Sequence, residues 1–266
     1  MFVSLHQILK HKTMAKSKMF MGKARGKVGG VVFRVVDGKQ VMSELNDKPF
    51  NPKSEGQSLQ RFKFAFVQAI ASQIPSSELE GLGGRPIARR SEMLSAMIKS
   101  TTIQGTADPM ASWSANLNAG AIPFARGPLA RPWVDASFVF SSHRGNITGT
   151  LTTDVMGAGV QVRCAIIVLP NQAVEGEVKP IVVFADAAVG GAQIEFTYPR
   201  SWNGKDLNIQ VVSWLKAASS SAMVQNYLNQ TRGVEGDIIG KLTTRDTSEY
   251  MYSTSQLSVD TYLQPA

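Results

Sequence analysis

The chain has 266 residues and a formal net charge of +8, from 28 Lys and Arg against 20 Asp and Glu. With 43% hydrophobic and 18% charged residues, its composition is that of a folded protein and excludes wholesale disorder. The length suits one or two domains, and no window holds the roughly 18 uninterrupted apolar residues of a membrane span.

Taken in chain order, the charge comes first. Residues 1–40 carry nine basic side chains and one acid, Asp37, which is the whole net charge; the remaining 226 residues carry 19 of each sign. Residues 1–27 therefore read as a flexible basic arm on a neutral body. Lys16, Lys18, Lys23, Arg25 and Lys27 fall within twelve residues, and Arg34 follows. These six are the candidate nucleic-acid-binding residues, because clustered cations neutralise phosphates and release counterions without reading sequence. A solubilising tail and an anionic membrane surface are the competing readings of the same run. His6 and Gln7 interrupt the apolar start and lysines follow, so the N-terminus does not read as a signal peptide. The Met14-Ala15-Lys16 stretch reads as an alternative start. The expected location is the cytoplasm, or a virion assembled there.

Val28 to Val36 is β-branched and apolar, Asp37-Gly38 follows, and Gln40-Val41-Met42 resumes the pattern. This predicts a hairpin over about 28–45, since Asp-Gly tolerates the positive φ angles of a tight turn. Phe33 reads as hairpin core, with base stacking as its alternative. Pro49, Pro52 and Gly56 mark a loop. Leu59, Phe62, Phe66 and Ile70 then recur at helical spacing and predict a helix over 57–73, stopped by Pro75. Residues 76–86, with three glycines at 81, 83 and 84, read as a flexible connection. Met93, Leu94, Met97 and Ile98 place a second helix near 88–100. Residues 104–132 are rich in Gly, Ala, Pro and Asn and read as a linker.

From Trp133 the period becomes two. Strands are predicted around 136–140, 147–152, 160–168, 180–185, 194–198, 207–214 and 220–228, a spacing characteristic of an antiparallel β-sandwich. Residues 229–266 form a C-terminal extension, expected to pair as extra strands or to reach a partner. The expected organisation is an arm (1–27), a hairpin with helices (28–103), a linker (104–132), an immunoglobulin-like sandwich (133–228) and an extension (229–266). The fold class is α+β, mainly β.

Three stretches resemble a known family. They are Gly26-Lys27-Val28-Gly29-Gly30 with Asn51-Pro52-Lys53-Ser54 and Gln60-Arg61-Phe62; Phe124-Ala125-Arg126-Gly127-Pro128; and Pro199-Arg200-Ser201-Trp202-Asn203-Gly204 with Asn226-Tyr227-Leu228. Over about 22–228 the chain is similar to uncharacterised Bacteroidota proteins, some carried on mobile elements, that join a Gly-Lys-Val-Gly hairpin to a C-terminal immunoglobulin-like sandwich. The resemblance implies that fold and supplies no activity and no site.

Catalytic chemistry finds little footing. Cys164 is the only cysteine and alternates with Val162 and Ile166, so it reads as a small buried residue. His6, His11 and His143 with one cysteine do not make a zinc site, and no Gly-x-Ser-x-Gly elbow is present. Gly22–Gly30 is rich in Gly and Lys but precedes a strand, whereas a phosphate loop follows one. No catalytic residue, metal, cofactor or small-molecule substrate is expected. The sequence points to a non-enzymatic structural or assembly protein, such as a phage or mobile-element virion component, oligomeric with other subunits and touching nucleic acid or an acidic partner through its arm. A cytoplasmic, sequence-independent nucleic-acid-binding module is the alternative, and an adhesin-like surface protein the third.

Overall fold

A computed structural model describes residues 15–16, 26–28, 31–36, 39–44, 54–105, 113–141, 145–170, 180–232 and 249–263. The fold is mainly β, with several antiparallel sheets and a smaller helical part. Two compact units make up the chain, Met1–Pro52 and Lys53–Ala266.

The first unit is a four-stranded antiparallel sheet of β1 (Ala15–Lys16), β2 (Gly26–Val28), β3 (Val31–Val36) and β4 (Lys39–Glu44), in the order β1-β4-β3-β2. Val36 pairs with Lys39, so two residues join β3 to β4, which is the connection that Asp37-Gly38 favours. Residues 15–16 and 26–27, which the charge run assigned to an arm, pair at the two edges of this hairpin, 26–27 together with Val28. A two-stranded hairpin alone is marginal, and lysine is at home on edge strands, so a basic run does not prevent pairing.

The second unit opens with helix α1 (Glu55–Ala71), capped by Ser54, whose Oγ accepts a hydrogen bond from the Gln57 amide at 3.4 Å. Phe62, Phe66 and Ile70 are buried, as the stripe predicts. Residues Ser76–Leu82 are not a loose connection but a 3₁₀ helix that buries Leu79. Helix α2 (Pro86–Ser100) begins with proline, whose missing amide costs nothing there, and buries Met93 and Met97, while Leu94 and Ile98 are half-buried. Strand β5 (Thr101–Gly105) runs into the stretch read as a linker, which holds its antiparallel partner β6 (Trp113–Leu117) and buries Ile122, Phe124 and Ala125.

Strands β7 (Val134–Phe140), β8 (Asn146–Thr153) and β11 (Ala192–Thr197) form a three-stranded sheet ordered β11-β8-β7. Strands β9 (Val160–Pro170), β10 (Ile181–Ala187) and β12 (Leu207–Ala218) form the spine of a second sheet. Its far edge is completed by β13 (Tyr250–Tyr252) and β14 (Gln256–Leu263), both antiparallel to β12. Six of the seven predicted sandwich strands are present. The seventh, at 220–228, is instead helix α3 (Ala222–Arg232). Ser221 caps it by accepting from the Val224 amide at 3.3 Å, and Val224, Tyr227 and Leu228 recur at helical spacing against Leu129 and Leu215. The residues read as an extension supply the missing edge through β14.

The larger sheet is covered on both faces. Val162, Cys164, Ile166 and Val168 of β9 and Leu207, Ile209 and Val211 of β12 pack with the three-stranded sheet through Phe138, Ile147, Leu151 and Phe196. Ala165, Ile167 and Leu169 of β9 and Val212 and Trp214 of β12 pack with Phe62, Phe66, Ile70 and Met97 of the helices. That double burial is why β9 reads as a near-continuous apolar run, unlike the alternating β7. Among the described residues no helix is long and apolar enough to cross a membrane.

Candidate functional site

The six basic candidates divide. Lys16, Lys27 and Arg34 lie on β1, β2 and β3 of the first unit, and Lys18, Lys23 and Arg25 lie outside the described residues. The register brings the first three together. Lys16 pairs with Val41, Val41 with Arg34, and Lys27 with Val32. Residues that pair directly across strands share a face, as do residues two apart, so these three basic positions belong to one face. Lys39, paired with Val36, belongs to it too. The sequence reading missed Lys39, although an Asp-Gly turn of two residues already implies that the positions flanking it pair. The other face carries Ala15, Phe33, Met42, Val35, Val28 and Val31, with Gln40 and Glu44. Phe33 is thus opposite the basic positions and not among them.

The second unit has a polar cleft of about 290 Å³ between the 3₁₀ helix and the helix-covered face of the larger sheet. Arg163 on β9 is its centre. Its Nε donates to Glu78 Oε2 at 3.0 Å and its Nη2 to Glu78 Oε1 at 2.6 Å, a bidentate pair. Its Nη1 donates to Asp186 Oδ1 at 3.1 Å, from the β10 residue directly opposite in register. The guanidinium also lies 5.9 Å from the Phe184 ring centroid. The hydrogen bond to Glu78 raises the Arg163 pKa above its usual range, against the opposing effect of burial. Beside it, Lys216 sits 3.9 Å from Glu80 and 4.3 Å from the Tyr250 ring centroid. Every acid in this network faces a cation, so the cleft clasps the 3₁₀ helix to the sheet. Glu78→Gln is expected to cost about 1–2 kcal/mol in urea melts, because it leaves a partly buried guanidinium with Asp186 alone. Unchanged stability in that variant would mean the clasp contributes nothing.

Cys164 neighbours Arg163 in sequence but faces the opposite side of β9, fully buried. Desolvation pushes its thiol up to about 12, so it is no thiolate nucleophile. Burial likewise raises Tyr252 to about 12. Both groups hold their protons more tightly when folded, so the stability they confer is intact at neutral pH. It is lost as pH rises from the ordinary value, 9.0 for the thiol and 10.0 for the phenol, to about 12. Cys164→Ala is expected to flatten the alkaline fall in stability that starts near pH 9.0, measured by denaturant melts across pH 8 to 12 (roughly). An identical pH profile in the variant would contradict this.

His6, His11 and His143 lie outside the described residues. Among the described residues no group of three His, Cys, Asp or Glu is placed to hold a metal. Comparison of the chain with protein-family models, curated proteins and solved structures finds no match.

Proposed function

We propose that the chain is a non-enzymatic structural protein of a multi-subunit assembly, of the kind carried by phages and mobile elements, in which the first unit joins neighbouring subunits and nucleic acid. One observation carries this reading. Residues 31–33, 35, 36, 39 and 41–43 of the first unit are all exposed or half-buried, although one face of its sheet is apolar: Phe33, Val35 and Met42 are half-buried and Val31 is exposed. A sheet with an apolar face needs a layer to cover it, and a second copy of the same sheet is such a layer. The saturated Arg163 network and the inert Cys164 favour a structural over a catalytic role for the second unit.

Within the same proposal, the second unit is an immunoglobulin-like sandwich and the chain belongs with the Bacteroidota proteins that it resembles. The strand order supports the sandwich: β11-β8-β7 faces β9-β12-β14, as strands E-B-A face C-F-G in the seven-strand plan when β14 is taken as its last strand, while β10 departs from that plan by pairing with β9 and not beside β11.

Size-exclusion chromatography with light scattering tests the assembly reading. The full chain is expected to run as an oligomer, and Phe33→Ser to shift it towards monomer with its circular dichroism unchanged. A monomer at every concentration would overturn the reading. An oligomer indifferent to Phe33→Ser would remove the first unit's sheet from the interface.

A further inference from the structure

We infer that the basic face of the first unit's sheet is a docking surface for the phosphate backbone of duplex nucleic acid, engaged without regard to base sequence. The inference rests on the nucleic-acid part of the proposal above and names the residues that perform it. Three rows cross the face. Val36 and Lys39 form one; Arg34, Val41 and Lys16 form the next; Lys27, Val32 and Ser43 form the last. Each row holds a cation, and none of the eight positions is acidic. Among the described residues the opposite face has no basic position and one acidic one, Glu44. Among the described residues the basic positions all fall on one face, and this arises only through pairing, because Lys16 and Arg34 are eighteen residues apart in sequence.

The dimensions suit a duplex. Strands lie about 4.8 Å apart and alternate residues about 6.7 Å apart along each, so the four basic positions span a patch of backbone of roughly 14 Å by 13 Å. A duplex presents a charge about every 1.7 Å of its axis, so several phosphates face such a patch at once. An acidic protein is the weaker partner. Protein interfaces are depleted in Lys and enriched in aromatic residues, whereas nucleic-acid interfaces are strongly positive. The remaining positions are Val32, Val36, Val41 and Ser43, which offer no ring for base stacking, so a single strand gains little here. Nor do they include Asn or Gln to read an adenine edge or an acid to read cytosine, so the face is built for phosphate contact through its basic residues.

The test is a salt titration of full-length protein with a labelled mixed-sequence duplex of about 20 base pairs, followed by fluorescence anisotropy. Four contacts predict a log–log slope near −3.6, at about 0.9 per phosphate. Lys39→Gln alone should reduce the slope by about 0.9, and Lys27→Gln by the same amount. The combined Lys16→Gln, Lys27→Gln, Arg34→Gln and Lys39→Gln variant should lose nearly all affinity. A charge-matched variant of the second unit, Lys63→Gln, Arg85→Gln, Lys99→Gln and Arg200→Gln, should bind like the parent. The single variants keep the test informative if the fourfold change unfolds the sheet. Equal losses in the two fourfold variants would show a net-charge effect and overturn the face. Tight duplex binding untouched by any face variant would overturn the face and leave the nucleic-acid reading standing. No duplex binding even at about 50 mM salt would overturn both. A preference for a single strand, or for polyglutamate over the duplex at equal salt, would overturn the choice of partner.

Discussion

Trp214→Ala is expected to cost about 3–5 kcal/mol of folding stability, measured by urea or guanidinium melts. Trp214 is 2% exposed and lies on the helix-facing side of β12, where its ring stacks on Phe124 with centroids 5.0 Å apart and planes 1° apart. Phe124 also meets Phe184 edge-on at 6.1 Å, so it bridges the segment before β7 to two strands of the larger sheet. Truncating the indole removes its transfer free energy and leaves a cavity that the rigid sheet beneath closes poorly. Phe124→Ala should cost about 3–5 kcal/mol on the same grounds. The double variant should fall short of the sum by about 0.5–1.5 kcal/mol, the coupling of an aromatic pair beyond its buried area. Strict additivity would show that the stacking contributes nothing beyond burial. A cost under about 1 kcal/mol for Trp214→Ala would mean that the helices do not pack on this face.

The second large effect comes from a backbone contact. A Cβ on Gly127 would lie 1.8 Å from the Tyr252 carbonyl oxygen and 2.5 Å from its carbon. The Leu129 amide donates to that same oxygen at 3.3 Å, and the Thr254 hydroxyl donates to the Gly127 carbonyl at 3.4 Å. Gly127→Ala must therefore push β13 and the 127–129 segment apart, and we expect a loss of about 2–4 kcal/mol. Gly56 is the control. It sits in the first turn of α1 with nothing within 4 Å of an added Cβ, so Gly56→Ala should stabilise by up to about 1 kcal/mol. Similar small changes at both sites would show that the close approach at Gly127 is relieved without loss.

Much of this architecture is written locally. Phe62, Phe66 and Ile70 announce α1 by spacing, Asp37-Gly38 announces the first hairpin, and the alternation of β7 and β8 follows from one face being buried and one polar. What was not legible depends on distant parts of the chain. The run Ala165-Ile166-Ile167-Val168-Leu169 departs from strict alternation because two different layers cover it, and only the second layer explains Trp214. Residues 220–228 carry β-compatible side chains but are capped by Ser221 and packed at helical spacing. The β5–β6 hairpin lies in a composition that favours no element. For the basic site, the residue types were legible and their common face was not. Period two assigns Lys16 and Arg34 to faces only within their own strands, and the pairing of both with Val41 joins the two.

The course of the polypeptide around β12 has a consequence for synthesis. One edge of β12 is paired by β9, which leaves the ribosome earlier, but the other edge is paired by β14, which ends at Leu263. Between them come α3 and the segment leading to β13. Throughout that interval the nascent chain exposes a long, apolar, unpaired strand edge, which is the template that neighbouring nascent chains use to associate wrongly. The hazard ends only when β14 docks, with Val211 opposite Val259 and Leu207 opposite Leu263. A late closing strand therefore makes this protein's yield sensitive to how quickly the segment carrying β14 is translated and to how crowded its nascent copies are.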